Sequence, residues 1–258
     1  MFQYALLLAL RNKGYNVICN TSLYGVTQMH NGYELDRVFG INEKLQINKG
    51  LSLSLLRFIC KFKPSLFYTQ DSGLFNESVI ENPTLYIDGY WQDERYFKDI
   101  AGKVKKAFCF KNIDDNNAAI ANSMKQCNSV ALHIRRGDYT TFGMSVMGED
   151  YYNKAVRVFF DRFENPFFYI FSDDTNEAIR IANNLSLHYE IMNHNHGNDS
   201  YKDMYLMSQC KHNVIANSSF SWWGAWLNDS PNKIIVAPST WDLKHPEIQP
   251  QMKECVLV

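Results

Sequence analysis

Clustered cysteine, net charge, long apolar runs and the common nucleotide-handling signatures are all missing from this chain of 258 residues. Its cysteines (Cys19, Cys60, Cys109, Cys127, Cys210 and Cys255) form no C-x-x-C pair and no cluster. Neither a disulfide framework nor a zinc site is therefore expected, and reduced thiols in a cytosolic protein are the default. Lysine and arginine total 26 against 27 aspartates and glutamates, for a formal charge of −1. That balance argues against a surface built to neutralise many phosphates of a nucleic acid, while leaving room for one local anion site. No stretch reaches the roughly 20 apolar residues that cross a bilayer. The first apolar run, Ala5 to Leu10, has no basic segment before it and meets its first positive charge only at Arg11, so no signal peptide is expected. The chain also lacks G-x-S-x-G, a P-loop and G-x-G-x-x-G, which removes hydrolases, P-loop kinases and dinucleotide oxidoreductases as leading ideas. Internal repeats and low-complexity segments are missing too.

What is present is an ordinary globular composition, 46% hydrophobic, 14% aromatic and 21% charged, which excludes disorder for most of the chain. The length permits one large domain or two halves. Met1 to Lys13 reads as an apolar helix stopped by Gly14, and Tyr15 to Cys19 as a short strand. Leu51 to Phe62 is a helix candidate ended by Lys63-Pro64. A strand at Leu85-Tyr86-Ile87 runs into Asp88-Gly89-Tyr90-Trp91-Gln92, and Asp93 to Phe97 reads as a loop leading to a helix. The basic run Lys103 to Lys106 reads as a solvated face. From Ile113 onward four short apolar strands (Val130–Ile134, Phe167–Phe171, Asn213–Ala216 and Lys233–Ala237) alternate with helices at Glu149–Phe163, Thr175–Asn184 and Tyr201–Gln209. Strands apolar on both faces suit a parallel sheet covered by helices, a doubly wound α/β pattern. The boundary falls near residue 112.

In open α/β sheets ligands bind outside the carboxyl ends of the strands. Here those ends are polar: His133-Ile134-Arg135-Arg136-Gly137-Asp138, Ser172-Asp173-Asp174, Asn217-Ser218-Ser219-Phe220-Ser221 and Pro238-Ser239-Thr240-Trp241. Adjacent guanidinium groups repel unless an anion compensates them, and a diphosphate is the natural candidate. On extended backbone His133 and Arg135 share a face and Arg136 points away. One arginine then forks onto phosphate while the other braces the loop through a carboxylate such as Asp138. The alternative is an internal Arg–Asp network with no ligand. Asn217 to Ser221 precedes a helical Trp222-Trp223-Gly224-Ala225-Trp226, so hydroxyls and amides gather at a helix start suited to an anion, or simply to a cap. The tryptophans fit sugar stacking or, more plainly, core. Asp173-Asp174 fits a divalent cation or a helix cap with Glu177. His194-Asn195-His196 reads as a loop.

Together these motifs, joined by Asp88-Gly89-Tyr90-Trp91-Gln92 with Tyr96-Phe97, resemble the bacterial alpha-1,2-fucosyltransferases of glycosyltransferase family eleven, and the Asn217 to Trp226 segment is the most specific of them. The resemblance runs from Met1 to about Trp241. It implies a GT-B-like α/β protein of two Rossmann-like domains with a cleft between them: an acceptor-side half, residues 1–112, and a GDP-fucose-binding half, residues 113–258. It implies an inverting, metal-independent transfer of fucose from GDP-beta-L-fucose to the 2-hydroxyl of a terminal galactose, in surface glycan or O-antigen synthesis. The partners would be that donor and a galactose-terminated acceptor glycan, with no cofactor, no nucleic acid and no transmembrane segment. The expected location is the cytoplasm, or the periphery of the inner membrane. By analogy His133 and Asp203 would contact guanine and Arg135 the beta-phosphate. Ser219 and Ser221 would contact phosphate, Asp173 and Asp174 would line the cleft, and Arg136 would complete the donor site. Asp138 is the first choice of general base and Glu149 the second. Members also normally carry a strand and a Gly-Gly-Leu-Gly-Asn-Gln turn before Met-Phe-Gln-Tyr-Ala, whereas this chain starts at Met1-Phe2-Gln3-Tyr4-Ala5. The expectation is a missing first strand, and a non-catalytic GDP-sugar-binding remnant is the alternative function.

Overall fold

A computed structural model describes residues 1–21, 32–43, 58, 62–70, 73–84, 86–137, 145–250, 252 and 255–258. The chain divides into two compact units, Met1–Lys111 with Glu247–Gln251, and Asn112–Pro246 with Met252–Val258.

In the first unit α1 (Phe2–Asn12) buries Phe2, Ala5, Leu6, Leu7, Ala9 and Leu10. Gly14 follows it at φ +92°, a left-handed conformation that suits glycine after a helix. The strand expected at Tyr15–Cys19 does not form. The Arg11 guanidinium donates to the Val17 carbonyl at 3.0 and 2.8 Å, occupying a backbone acceptor that a sheet ladder would need. The helix expected at Leu51–Phe62 lies mostly outside the described residues. β1 (Phe67–Thr69) and β2 (Tyr86–Asp88) pair in parallel, and the basic run lies on α2 (Ala101–Ala107).

The second unit carries the larger sheet. Its strands are β3 (Ser129–Ile134), β4 (Phe167–Ser172), β5 (Tyr189–Met192), β6 (His212–Val214), β7 (Ile235–Ala237) and β8 (Cys255–Leu257). They are all parallel, in the order β5-β4-β3-β6-β7-β8. Counting from β3, this is the doubly wound order 3-2-1-4-5-6, which reverses direction between β3 and β6. Six strands form where four are expected. β5 and β8 are short edge strands carrying half-exposed residues, so neither shows a continuous apolar run.

Helices cover both faces. Val130, Leu132 and Ile134 face α4 (Glu149–Phe160) and α5 (Thr175–Asn184), whose Tyr152, Ala155, Phe159, Ala178 and Ile181 are fully buried. Ala131, Tyr169 and Phe171 face α3 (Asp115–Gln126) and α6 (Tyr201–Gln209) through Met124, Leu206 and Met207. α7 (Ser219–Trp226) packs on α6, and a Cβ on Gly224 would come within 2.8 Å of the Met207 Cβ, so only glycine permits that approach. Trp222, Trp223 and Trp226 of α7 are buried, with Trp222 and Trp226 stacked at 9° between ring planes, so they serve the core.

Candidate active site

Strand order reverses between β3 and β6, and the carboxyl edge at such a reversal is where doubly wound sheets bind ligands. β3, with Val130, Ala131, Leu132 and Ile134 buried, delivers His133 to that edge. Ala131 packs toward α3 and α6, and His133 lies two residues along the same face. Its ring meets Phe220, in the first turn of α7, at a centroid distance of 6.0 Å. His133 is buried, and among the described residues its Nδ1 has no hydrogen-bond partner. Burial first, and then the neighbouring Arg135, lower its pKa to about 3, so the ring is neutral near pH 7. A neutral imidazole offers one donor and one acceptor to whatever occupies the edge.

The two arginines take different tasks. Arg135, partly exposed, pairs with the Asp173 carboxylate at 2.8 Å. Arg136 is buried: its guanidinium donates to the Met147 carbonyl at 2.8 Å and to Glu177 at 3.2 Å, and its backbone N–H donates to Asp173 at 2.8 Å. Arg136 therefore braces the loop, as one reading of the sequence has it, but through Glu177 and Asp173. Asp138 lies outside the described residues. The backbone at Gly137 passes so close to Asp173 that a Cβ there would stand 2.5 Å from the carboxylate. Glycine is thus required if Asp173 is to hold both arginines.

Asp174 accepts the Glu177 N–H at 3.0 Å and caps α5. Glu149, in the first turn of α4, accepts from Arg180 at 2.8 Å and from Asn184 at 3.2 Å, and Arg180 holds its carboxyl below the ordinary range. That poorly suits a general base, which needs a pKa near the working pH. Ser218 caps α7 by accepting from the Phe220 N–H at 3.3 Å, Ser219 opens the helix, and the buried Ser221 hydroxyl donates to the Ser218 carbonyl at 3.3 Å. Asn217 fixes the approach by donating to the Ser145 and Trp241 carbonyls at 2.8 and 3.0 Å.

Asp203 stands in the first turn of α6, the helix that packs on the His133 face of the sheet. Burial raises its carboxyl to about 7, against a lowering by the Asn195 amide that donates to it at 2.8 Å. The carboxyl edge at β3 therefore gathers a neutral imidazole, one accessible guanidinium and the start of α7, while the first turn of α6 carries a carboxyl raised to about 7. Helix N-terminus and guanidinium together favour an anion. Sequence reasoning places Glu177 only in a helix cap and Asn195 only in a loop and misses Asn117, because their tasks toward Arg136 and Asp203 depend on contacts the spacing does not show.

The family model described as Glycosyl transferase family 11 matches residues 68–252. The chain is also 34% identical over 262 residues to an alpha-1,2-colitosyltransferase of Escherichia coli, covering 93% of this chain and 88% of that protein. The chain belongs to glycosyl transferase family 11. It is an enzyme, a glycosyltransferase. Shorter matches run to the O-antigen biosynthesis glycosyltransferase WbnK of Escherichia coli, 43% identical over 122 residues, 45% of this chain and 40% of that protein. A further match is the galactoside 2-alpha-L-fucosyltransferase SEC1 of Bos taurus, 32% identical over 113 residues, 41% of this chain and 30% of that protein. The family's matched range includes every strand-end residue described above and also Asp88-Gly89-Tyr90-Trp91-Gln92 of the first unit. There Gln70 accepts the N–H groups of Tyr90 and Trp91 at 3.1 and 2.9 Å, and Gln3 of α1 donates to the Gly89 carbonyl at 3.1 Å. A Cβ at Gly89 would stand 2.6 Å from the Gln70 Cβ, which accounts for its glycine. No described helix of this glycosyltransferase is long and apolar enough to cross a membrane.

Proposed function

We propose that this family 11 glycosyltransferase transfers fucose from GDP-beta-L-fucose to the 2-hydroxyl of a terminal galactose, inverting the anomeric centre. The observation that carries the reading is Arg135, an accessible guanidinium held by Asp173 at the point where strand order reverses, beside His133 and the start of α7. In this reading the unit that begins at Asn112 holds the nucleotide. His133 and Asp203 meet the guanine, Arg135 and Ser219 the diphosphate.

Departure of GDP leaves an oxocarbenium-like sugar and places negative charge on the phosphate, where preorganised donors lower the barrier most. Arg135 and the α7 terminus supply them. Asp173 is paired with Arg135 and Asp174 caps a helix, so charge neutralisation is assigned to the guanidinium and the reaction to a metal-independent class. The galactose hydroxyl gives its proton to a carboxylate, for which Asp138 is the proposed acceptor. A second reading concerns the transferred sugar: the extensive match to a colitosyltransferase favours colitose in place of fucose.

Calorimetric titration with GDP, ADP and UDP, run beside transfer from GDP-fucose to a simple galactoside, tests the reading. Preferential GDP binding with an alpha-1,2-linked fucosyl product supports it. Binding without turnover points to a GDP-sugar-binding protein, and no preference among nucleotides rejects the donor assignment.

A further inference from the structure

Asp203 is held by an unusual partner. Asn195 lies in the loop after β5 and Asn117 in the first turn of α3, 78 residues apart in sequence, yet both are buried and their side-chain amides pair face to face. Asn195 donates to the Asn117 oxygen at 3.0 Å, and Asn117 donates back to the Asn195 oxygen at 3.1 Å. The second N–H of the Asn195 amide goes to the Asp203 carboxyl at 2.8 Å. The second N–H of the Asn117 amide goes to Asp114 at 2.8 Å, and Asp114 is gripped by Lys202 at 2.9 Å. Lys202 and Asp203 are consecutive on α6, so the chain of contacts closes on itself.

The closure settles which way each amide points. Lys202 and the Asn117 N–H groups hold Asp114 ionised, with its carboxyl far below the ordinary range, so it only accepts. Asn117 must then turn its NH₂ toward Asp114 and its oxygen toward Asn195, where that oxygen also meets His194 Nε2 at 3.1 Å. Asn195 must in turn present NH₂ to Asn117 and to Asp203. An Asn amide left to itself flips at little energetic penalty; this one has a single orientation that satisfies its neighbours. The donor it offers Asp203 is neutral. A lysine or arginine in its place would neutralise the carboxylate and draw it away from a ligand.

We propose that Asn195, locked by Asn117, is a positioning residue that sets the orientation of the Asp203 carboxyl toward the nucleobase of the donor. The inference rests on the proposed reading in which Asp203 meets that base, and it adds the residues that hold Asp203 in place. Neither amide touches the reacting atoms, so their effect belongs to donor affinity and base selectivity and leaves the chemical step alone.

A double-mutant cycle on the full chain separates the two layers, with GDP and inorganic pyrophosphate as calorimetric probes and the melting temperature recorded for each variant. Asn195→Ala is expected to weaken GDP binding about tenfold, the equivalent of one charge-assisted hydrogen bond, with pyrophosphate binding unchanged. Asp203→Ala is expected to do the same or more, and the double variant to bind GDP no more weakly than Asp203→Ala. Asn195→Asp keeps the shape while replacing the donor by an acceptor, and is expected to reproduce the loss should the alanine variant melt early. Full additivity of the two losses, or an equal loss of pyrophosphate binding, makes Asn195 a merely structural residue and overturns the proposal. So does unchanged GDP affinity in Asn195→Ala when Asp203→Ala is impaired. Unchanged GDP affinity in Asp203→Ala removes the base-reading assignment itself and the positioning role with it.

Discussion

Arg135 and Arg136 are adjacent and chemically identical, yet just past the end of β3 they part: one pairs with Asp173 and stays partly exposed, and the other is buried against its own loop. Arg136 is surrounded by the Met147 carbonyl and Glu177, so its removal leaves that carbonyl without its donor and Glu177 with Arg180 alone. Arg136→Ala is expected to lower the melting temperature through loss of a charge-assisted contact worth about 1.5–3 kcal/mol, which thermal unfolding measures. Gly137→Ala is expected to abolish donor binding while the protein still folds, because a Cβ 2.5 Å from Asp173 displaces the carboxylate that holds Arg135; GDP titration checks it. Asp203 gives a pH signature. Its carboxyl, raised to about 7 by burial, is protonated below that value and ionised above it. An ionised carboxylate accepts from the N–H groups of guanine, whereas the protonated form gives up an acceptor. GDP affinity should therefore rise as pH increases through about 7 and lose this rise in Asp203→Asn; titrations across that range with a flat wild-type profile would contradict the assignment. Asn195 faces this carboxyl, and behind it lie Asn117, His194, Asp114 and Lys202.

Elements differ in how openly the sequence announces them. β3, β4, β6 and β7 are legible because both of their faces are buried, which leaves continuous apolar runs such as Val130 to Ile134 between polar turns. β5 and β8 are not, since nearly all of their three or four residues are half-buried or exposed and the segments look like any loop. The strand read at Tyr15–Cys19 has suitable residues, but strand formation also needs a neighbour to receive its hydrogen bonds, and Arg11 occupies one of its carbonyls instead. The candidate site is legible as a set of strand ends, because topology sets where ligands bind in a doubly wound sheet. Its internal bookkeeping of partners is not: Asp173 proves to hold both arginines, Asp174 to cap α5, and Asn195 to link two helices across 78 residues. Two element-scale tests follow. Asp174→Ala should cost about 1 kcal/mol as a lost cap, and Gly224→Ala about 1–3 kcal/mol because α6 and α7 must separate; chemical denaturation reads both.

At the scale of the whole molecule, a formal charge of −1 is compatible with the proposed anion site because the positive charge that would serve it is local, one accessible guanidinium and the partial charge of a helix terminus. In the proposed reading the doubly wound unit beginning at Asn112 needs nothing more to hold one nucleotide, and its strand order points to where that nucleotide would lie. Membership of glycosyl transferase family 11 makes the molecule a transferase; the proposal that Arg135 stabilises the departing diphosphate is the central claim of its mechanism. Initial rates of transfer from GDP-fucose to a terminal galactoside, measured for the wild-type chain and for Arg135→Ala, test that claim most directly. The expected result is an alpha-1,2-linked product from the wild type and a loss of about 100-fold or more in kcat for the variant, the scale on which a preorganised oxyanion donor acts. An Arg135→Ala protein that turns over within a few-fold of the wild type would contradict it.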